Sequence, residues 1–322
     1  MYAVCYGVLR CRVSCGVSDG GRRTTDQMCC VNRWPCVLVV LSEQQAIIAQ
    51  RQHEAQVVNA RRKKFEDLIP VLGEAPIHAF CSAKWQERVE GLDTIGRLLR
   101  AKMHAKRVMG DDAGIAQHCQ NVMKLLHRAL DDKVTPVYFA TIDLLNVTIE
   151  NGLPSDTDFV RAQLKPILPG MLKWMAVKNS RVQEKTLRAF VDMAQHQKIG
   201  IAFIAPVALT PYPVRQGQSA PSERVVETRM TLLLGLLPIG KGDKFPVDPT
   251  MKLILPALSS GVEKTRNMGV AAAAEVYRHH GKAVPSYTRT LPADVLRKLD
   301  KKFVAIDKAR DAAGTWGWVG VG

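Results

Sequence analysis

The sequence predicts an all-α fold, a solenoid of stacked helix pairs, and three observations carry that reading. Leu, Ala, Val and Ile are abundant while aromatic residues make up 6% of the chain, a mixture that suits packed helices better than strands. Apolar residues recur at three- and four-residue spacing, which is one face of a helix. Short polar turns open these segments at intervals of 40 to 51 residues.

Taken in order, residues 1–41 show neither helical nor strand periodicity and are expected to be disordered or the product of a gene-prediction error. Six of the eight cysteines lie there (Cys5, Cys11, Cys15, Cys29, Cys30 and Cys36). Cys11 and Cys15 have no second pair downstream, so the spacing of a zinc site is incomplete and no metal is expected. Residues 42–63 are polar, free of Gly and Pro, and predicted as an exposed helix. That helix is open to being the end of a coiled coil, although Ile47, Ile48, Val57 and Val58 do not sustain a heptad.

From there five segments each open on a polar turn and continue as an amphipathic helix. The first carries Trp85, Val89, Leu92, Ile95 and Leu99. In the second, Thr135-Pro136 reads as a cap followed by Pro at the first helical position, and Gly152 ends the helix. Ser180 with Gln183 reads as a capping box in the third, as does Ser260 with Glu263 in the fifth. The fourth opens near Pro221-Ser222. Starts at 85, 136, 181, 222 and 262 give intervals of 51, 45, 41 and 40. That approaches the period of about 40–47 residues of paired-helix HEAT repeats. An apolar helix is predicted before each: Phe65 to Phe80, Ile115 to Leu130, Val160 to Met175, Ile199 to Leu209 and Met251 to Leu258. Leu291 to Asp311 would cap the last exposed core face. A HEAT-like repeat domain is thus expected over residues 64–312, with a disordered tail at 313–322.

Lys and Arg number 45 against 30 Asp and Glu, an excess of 15 that favours an acidic partner: nucleic acid, anionic lipid or an acidic protein surface. No apolar run approaches the length of about 18 residues that a membrane helix needs, and no secretory signal opens the chain. A cytoplasmic chain without membrane partners is expected. No phosphate loop, His-Glu-x-x-His or Gly-x-Ser-x-Gly motif is present, so neither an enzyme nor a cofactor is expected. His279-His280 reads as a helix end, and Asp111-Asp112 and Asp131-Asp132 as turn residues.

Equivalent turns of a solenoid line up along one edge. Every turn within a predicted pair carries a cation: Lys84 and Arg88; Lys133; Lys178 and Arg181; Arg224; and Lys264 with Arg266. Cations at helix N-termini oppose the helix dipole by roughly 0.3–1 kcal/mol each. Their repetition therefore points to a binding role, although a basic chain places some cations in turns by composition alone. Trp85 stands beside the first of them, and Trp is enriched at binding hot spots. Trp174 lies inside an apolar helix and reads as packing.

The ordered set Ser82-Ala83-Lys84-Trp85-Gln86-Glu87-Arg88, Asp132-Lys133-Val134-Thr135, Asn179-Ser180-Arg181, and Val262 with Arg266 before Tyr277-Arg278-His279-His280 resembles a TOG domain of the ciliary-tip centrosomal type. The likeness covers about residues 64–311. It implies a paddle of about six HEAT-like helix pairs whose intra-pair turns bind αβ-tubulin, in a cytoskeletal setting at the centriole or cilium. Trp85 would be the hydrophobic anchor, with Lys84 and Arg88 beside it and Lys133, Val134 and Arg181 extending the β-tubulin contact. Lys178 shares a turn with Arg181, while Arg224, Lys264 and Arg266 would reach toward α-tubulin. The β-sandwich, long coiled coil, zinc fingers and Ser-x-Ile-Pro motif of that family are not seen, so a fragment, a truncated gene model or a reduced relative is expected. The alternative expectation is a general HEAT scaffold binding another acidic protein or nucleic acid.

Overall fold

The computed structural model describes residues 34–213, 221–240 and 244–315. The cysteine-rich stretch of residues 1–33 and the end of the predicted tail, 316–322, lie outside the described residues. Chain contacts divide the molecule into two units, residues 1–53 and residues 54–322. The described part of the first is the opening of helix α1 (Trp34–Phe65). This helix begins eight residues before the predicted polar helix at 42. Pro35 falls in its first turn, where the missing N–H costs nothing.

All the regular secondary structure among the described residues of the second unit is helical. After the end of α1 and a 3-10 turn come α2 (Ile69–Leu72), α3 (Glu74–Cys81) and α4 (Trp85–Met109). Then follow α5 (Asp112–Ala129), α6 (Thr135–Asn151), α7 (Thr157–Leu164), α8 (Leu168–Met175) and α9 (Ser180–Gln195). The series continues with α10 (Ile201–Ala208), α11 (Glu223–Gly240), α12 (Val247–Leu258), α13 (Glu263–His280), α14 (Pro285–Thr288) and α15 (Ala293–Thr315). α15 runs four residues past the predicted cap into the expected tail.

The packing has the order of a ladder. α4, α6, α9, α11, α13 and α15 each pack on the next, while α3, α5, α8, α10 and α12 pack on the rung helix that follows them. The fold is the HEAT-like solenoid predicted. One apolar core runs through it from Phe65 to Phe303. Trp174 stacks on Tyr138 with ring centroids 4.2 Å apart, and the Tyr138 hydroxyl meets Thr186 Oγ1 at 2.5 Å. At the far end Tyr277 stacks on Phe303, so α15 closes the core as a cap.

Two glycines permit close approach within pairs. A Cβ on Gly91 would lie 2.7 Å from the carbonyl oxygen of Pro76 and from the amide nitrogen of Phe80. One on Gly269 would lie 3.0 Å from Ala257 Cβ and from the amide nitrogen of Leu258. Both glycines stand six residues into their helix, so the first and fifth pairs use the same device.

Candidate functional site

The turns within pairs are built alike. The first is Ser82-Ala83-Lys84, in which Ser82 Oγ accepts from the Lys84 amide at 3.1 Å and donates to Glu87 Oε2 at 2.6 Å. In the second, Asp132 Oδ1 accepts from the Val134 amide at 3.1 Å. In the third, Asn179 Oδ1 accepts from the amides of Arg181 and Val182 at 3.0 and 3.3 Å. In the fifth, Ser260 Oγ accepts from the Val262 amide at 3.0 Å. Each acceptor satisfies a donor that a helix start would otherwise leave orphaned.

These bonds correct the predicted capping boxes. Asn179, not Ser180, is the cap of α9, and Gln183 Nε2 reaches the Val177 carbonyl instead. Ser260 lies two residues before the extended cap residue Val262 and donates to Glu223 Oε1 at 2.7 Å. Val134, rather than Thr135, is the cap position of α6, and its side chain is partly buried.

Consecutive turns are bonded to one another. Arg88 Nε lies 2.8 Å from Asp132 Oδ2, joining the first turn to the second. Trp174 Nε1 donates to the Leu130 carbonyl at 2.9 Å, joining the second to the third. Thr228 Oγ1 donates to the Met175 carbonyl at 3.4 Å, joining the third to the fourth. Ser260 to Glu223, together with the Lys264 to Glu227 ion pair, joins the fourth to the fifth. The five predicted turns therefore form one continuous edge.

The predicted residues divide on that edge by direction. Lys84, Trp85, Lys133, Lys178, Arg181 and Lys264 are exposed, and Arg224 is half-buried. Trp85 is 42% exposed, too open for a core ring. Lys84 pairs with Glu87 at 3.1 Å. Hydrogen bonds from Ser82 and Lys84 hold the Glu87 carboxyl below the usual carboxylate range. Among the described residues, Lys133, Lys178, Arg181 and Arg224 have no ion-pair partner.

Arg88 and Arg266 differ from the exposed cations, because each turns its Nη1 back onto backbone carbonyls of its own turn. Arg88 is 3% exposed, and its Nη1 donates to the carbonyls of Ser82 and Ala83 at 3.0 and 2.8 Å. Arg266 Nη1 donates to the carbonyls of Ser260 and Gly261 at 2.7 and 2.9 Å, the same bonds in the fifth turn that Arg88 makes in the first. In the fourth turn Arg229, which sequence reasoning did not single out, donates from Nη1 to the carbonyls of Val207, Ala208 and Thr210 at 3.2, 2.7 and 2.8 Å. Burial lowers its pKa from the ordinary arginine value. These arginines shape the turns that carry the exposed cations.

Two further apolar residues stand on the edge. Val177 is 39% and Val262 is 47% exposed, beside Lys178 and Lys264. The signal for them was present in the sequence, since Trp85, Val134, Val177 and Val262 each neighbour a turn cation or cap. The edge therefore alternates apolar and cationic side chains, as a protein-binding surface does and a purely phosphate-binding ridge need not. A groove of about 630 Å³ runs from Arg181 between α6 and α9. It is lined by charges of both signs, including the Lys185 to Asp143 pair at 2.7 Å. Among the described residues no cluster of His, Cys, Asp and Glu fit for a metal is found.

Comparison with known proteins agrees with this geometry. A family profile described as the TOG domain of centrosomal protein CEP104 matches residues 63–272. The rat centrosomal protein of 104 kDa is 26% identical over 225 residues, which is 66% of this chain and 23% of the relative. The human protein is 24% identical over 277 residues, 78% of this chain and 28% of the relative. The chain thus spans about a quarter of the length of these relatives. Among solved structures, the TOG domain of human Cep104 superposes with a TM-score of 0.59 at 20% identity, covering 76% of this chain and 95% of that one. A TOG domain described in terms of TOG–tubulin binding specificity and mitotic spindle formation has a TM-score of 0.56 at 12% identity, over 81% of this chain and 96% of that one. The structural likenesses bear on the fold, and the profile match decides the family: the chain belongs to the CEP104 TOG-domain family.

Proposed function

We propose that this chain is a non-catalytic tubulin-binding module, spanning residues 64–312, that engages αβ-tubulin through its intra-pair turn edge. One observation carries the reading: five turns are bonded into a single edge with exposed Trp85 at its start and unpaired Lys133, Lys178 and Arg181 along it. Family membership and the TOG–tubulin description of a structural neighbour support the choice of partner. Trp85 is the apolar anchor and Lys84 its charged neighbour. Lys133, Val134, Lys178 and Arg181 extend the contact, and Arg224 and Lys264 reach the second subunit. Arg88 and Arg266 act as positioning residues. The setting that follows is cytoskeletal, at centrioles or ciliary tips.

Size-exclusion chromatography of the full chain with purified tubulin, alone and with excess duplex DNA, tests this. Co-elution with tubulin that survives DNA and is lost in Trp85→Glu is the expected result. Co-elution with DNA and not with tubulin would establish the nucleic-acid scaffold instead.

A further inference from the structure

α4 is longer than the rungs between it and the cap. It has 25 residues, where α6, α9, α11 and α13 have 17, 16, 18 and 18 and the capping helix α15 has 23. The excess of at least seven residues over those four carries it ~10 Å further than they run at the helical rise per residue. Its extra turns lie at the end away from Trp85. A glycine-capped stop fixes that end: Gly110 takes a left-handed φ of 70°, its amide bonds to the Arg107 carbonyl, and the Asp111 amide bonds to the Lys106 carbonyl at 2.9 Å. Lys106 Nζ closes the corner on Asp111 Oδ2 at 2.5 Å.

α4 is apolar on two faces. Leu92, Ile95, Leu99 and Met103 are buried in the core. On the other side Leu98, Ala101, Ala105 and Val108 are exposed, at steps of three, four and three residues. That is the a/d spacing of a helix-pairing seam. Val108 and Met109 are 77% and 79% exposed, the most open large apolar side chains among the described residues. The small Ala101 and Ala105 in the middle let a second helix come close.

The flanks of this stripe are cationic. No acidic residue stands between Asp93 and Asp111, while Arg97, Arg100, Lys102, Lys106 and Arg107 all do. Arg97 donates to Thr94 Oγ1 and Lys102 to the Val71 carbonyl, so neither is neutralised by a carboxylate. Arg100 and Arg107 have no ion-pair partner among the described residues. Arg97 and Lys102 stand at the g and e positions beside the stripe, the charge-selecting places of a coiled coil, and Arg100, Arg107 and Lys106 lie further out on the same two flanks. A second copy of this face would meet like charge and be repelled.

We infer that the outer face of α4 is a second binding site, for an acidic amphipathic helix that presents apolar residues at heptad spacing with Glu or Asp beside them. The site is separate from the turn edge and does not depend on what that edge binds. A partner held there leaves Trp85 and the exposed turn cations free, so one chain can hold two partners at once.

The test uses the full chain and two fluorescein-labelled three-heptad peptides with Leu at a and d, one carrying Glu and the other Lys at e and g. Fluorescence anisotropy is expected to show binding of the Glu peptide alone. Ala105→Asp and the pair Arg97→Glu/Lys102→Glu should each weaken it at least about tenfold, with circular dichroism unchanged because all three residues are exposed. Trp85→Glu should leave peptide binding unchanged. Equal binding of the Lys peptide, indifference to Ala105→Asp, or no binding of the Glu peptide would each overturn the assignment. So would dimerisation of the chain that Ala105→Asp abolishes, or duplex DNA or anionic vesicles binding this face in place of the peptide.

Discussion

Replacing Arg88 by Met tests whether that side chain builds the first turn or merely decorates it. The guanidinium and the Asp132 carboxylate it meets have side chains 4% and 10% exposed. Removing one partner of a buried pair costs roughly 3–5 kcal/mol, most of it from the charge left behind. Three features place Arg88→Met near the lower end of that range. Asp132 Oδ1 keeps the Val134 amide, Ser82 keeps a hydrogen bond from Arg61 Nη1 at 3.1 Å, and the exposed Ala83 carbonyl can turn to water. A loss of about 3 kcal/mol, or about 6–12 °C in Tm for a domain of this size, is expected. Adding Asp132→Asn removes the stranded charge while retaining the oxygen that caps Val134. The double variant should therefore regain about 2 kcal/mol. Urea unfolding followed by circular dichroism reads both numbers. A single-variant cost below about 1 kcal/mol, or a double variant no more stable than the single, would refute the reasoning.

Three further outcomes follow from the same structure. Trp85→Glu should retain its helical circular dichroism yet bind tubulin at least about thirtyfold more weakly, the scale of a lost hot spot of about 2 kcal/mol; an unfolded variant would instead make the ring part of the core. Gly91→Ala should destabilise by about 2 kcal/mol because backbone lies against the new methyl on two sides, and by more than Gly269→Ala, where the contacts are looser; differential scanning calorimetry of both variants decides. Burial pushes the Cys119 thiol up to about 12, so iodoacetamide at pH 8 should leave it unlabelled until urea unfolds the chain. Peptide mass mapping that finds Cys119 carbamidomethylated in the folded protein would contradict that burial.

The architecture was legible because it rests on the spacing of apolar residues, which packing cannot override along a whole solenoid. The predicted starts at 85, 136, 181, 222 and 262 fall within one residue of the observed starts at 85, 135, 180, 223 and 263. Local capping was less legible. Ser180 and Ser260 matched a sequence pattern, but Asn179 took the first role and Ser260 turned toward Glu223, a neighbour distant in sequence. The direction of a turn cation was less legible than its place in the chain. A long arginine three residues into a helix can fold back onto the carbonyls preceding it, and Arg88 and Arg266 both do. The signal was in the chain all along: Ser82, Arg88 and Gly91 recur in step as Ser260, Arg266 and Gly269. Val177 escaped because an isolated valine in a turn looks ordinary until its exposure is known.

The repeated arginine clamp separates the shape of each turn from what the turn displays. Backbone geometry is held from inside, by donors that never reach a partner, while the outward positions contribute little to holding the chain together. Substitutions at Lys84, Lys133 or Lys264 can therefore retune which surface is recognised at small cost to folding. Inherited variation should accumulate on the outer positions and spare the inner ones.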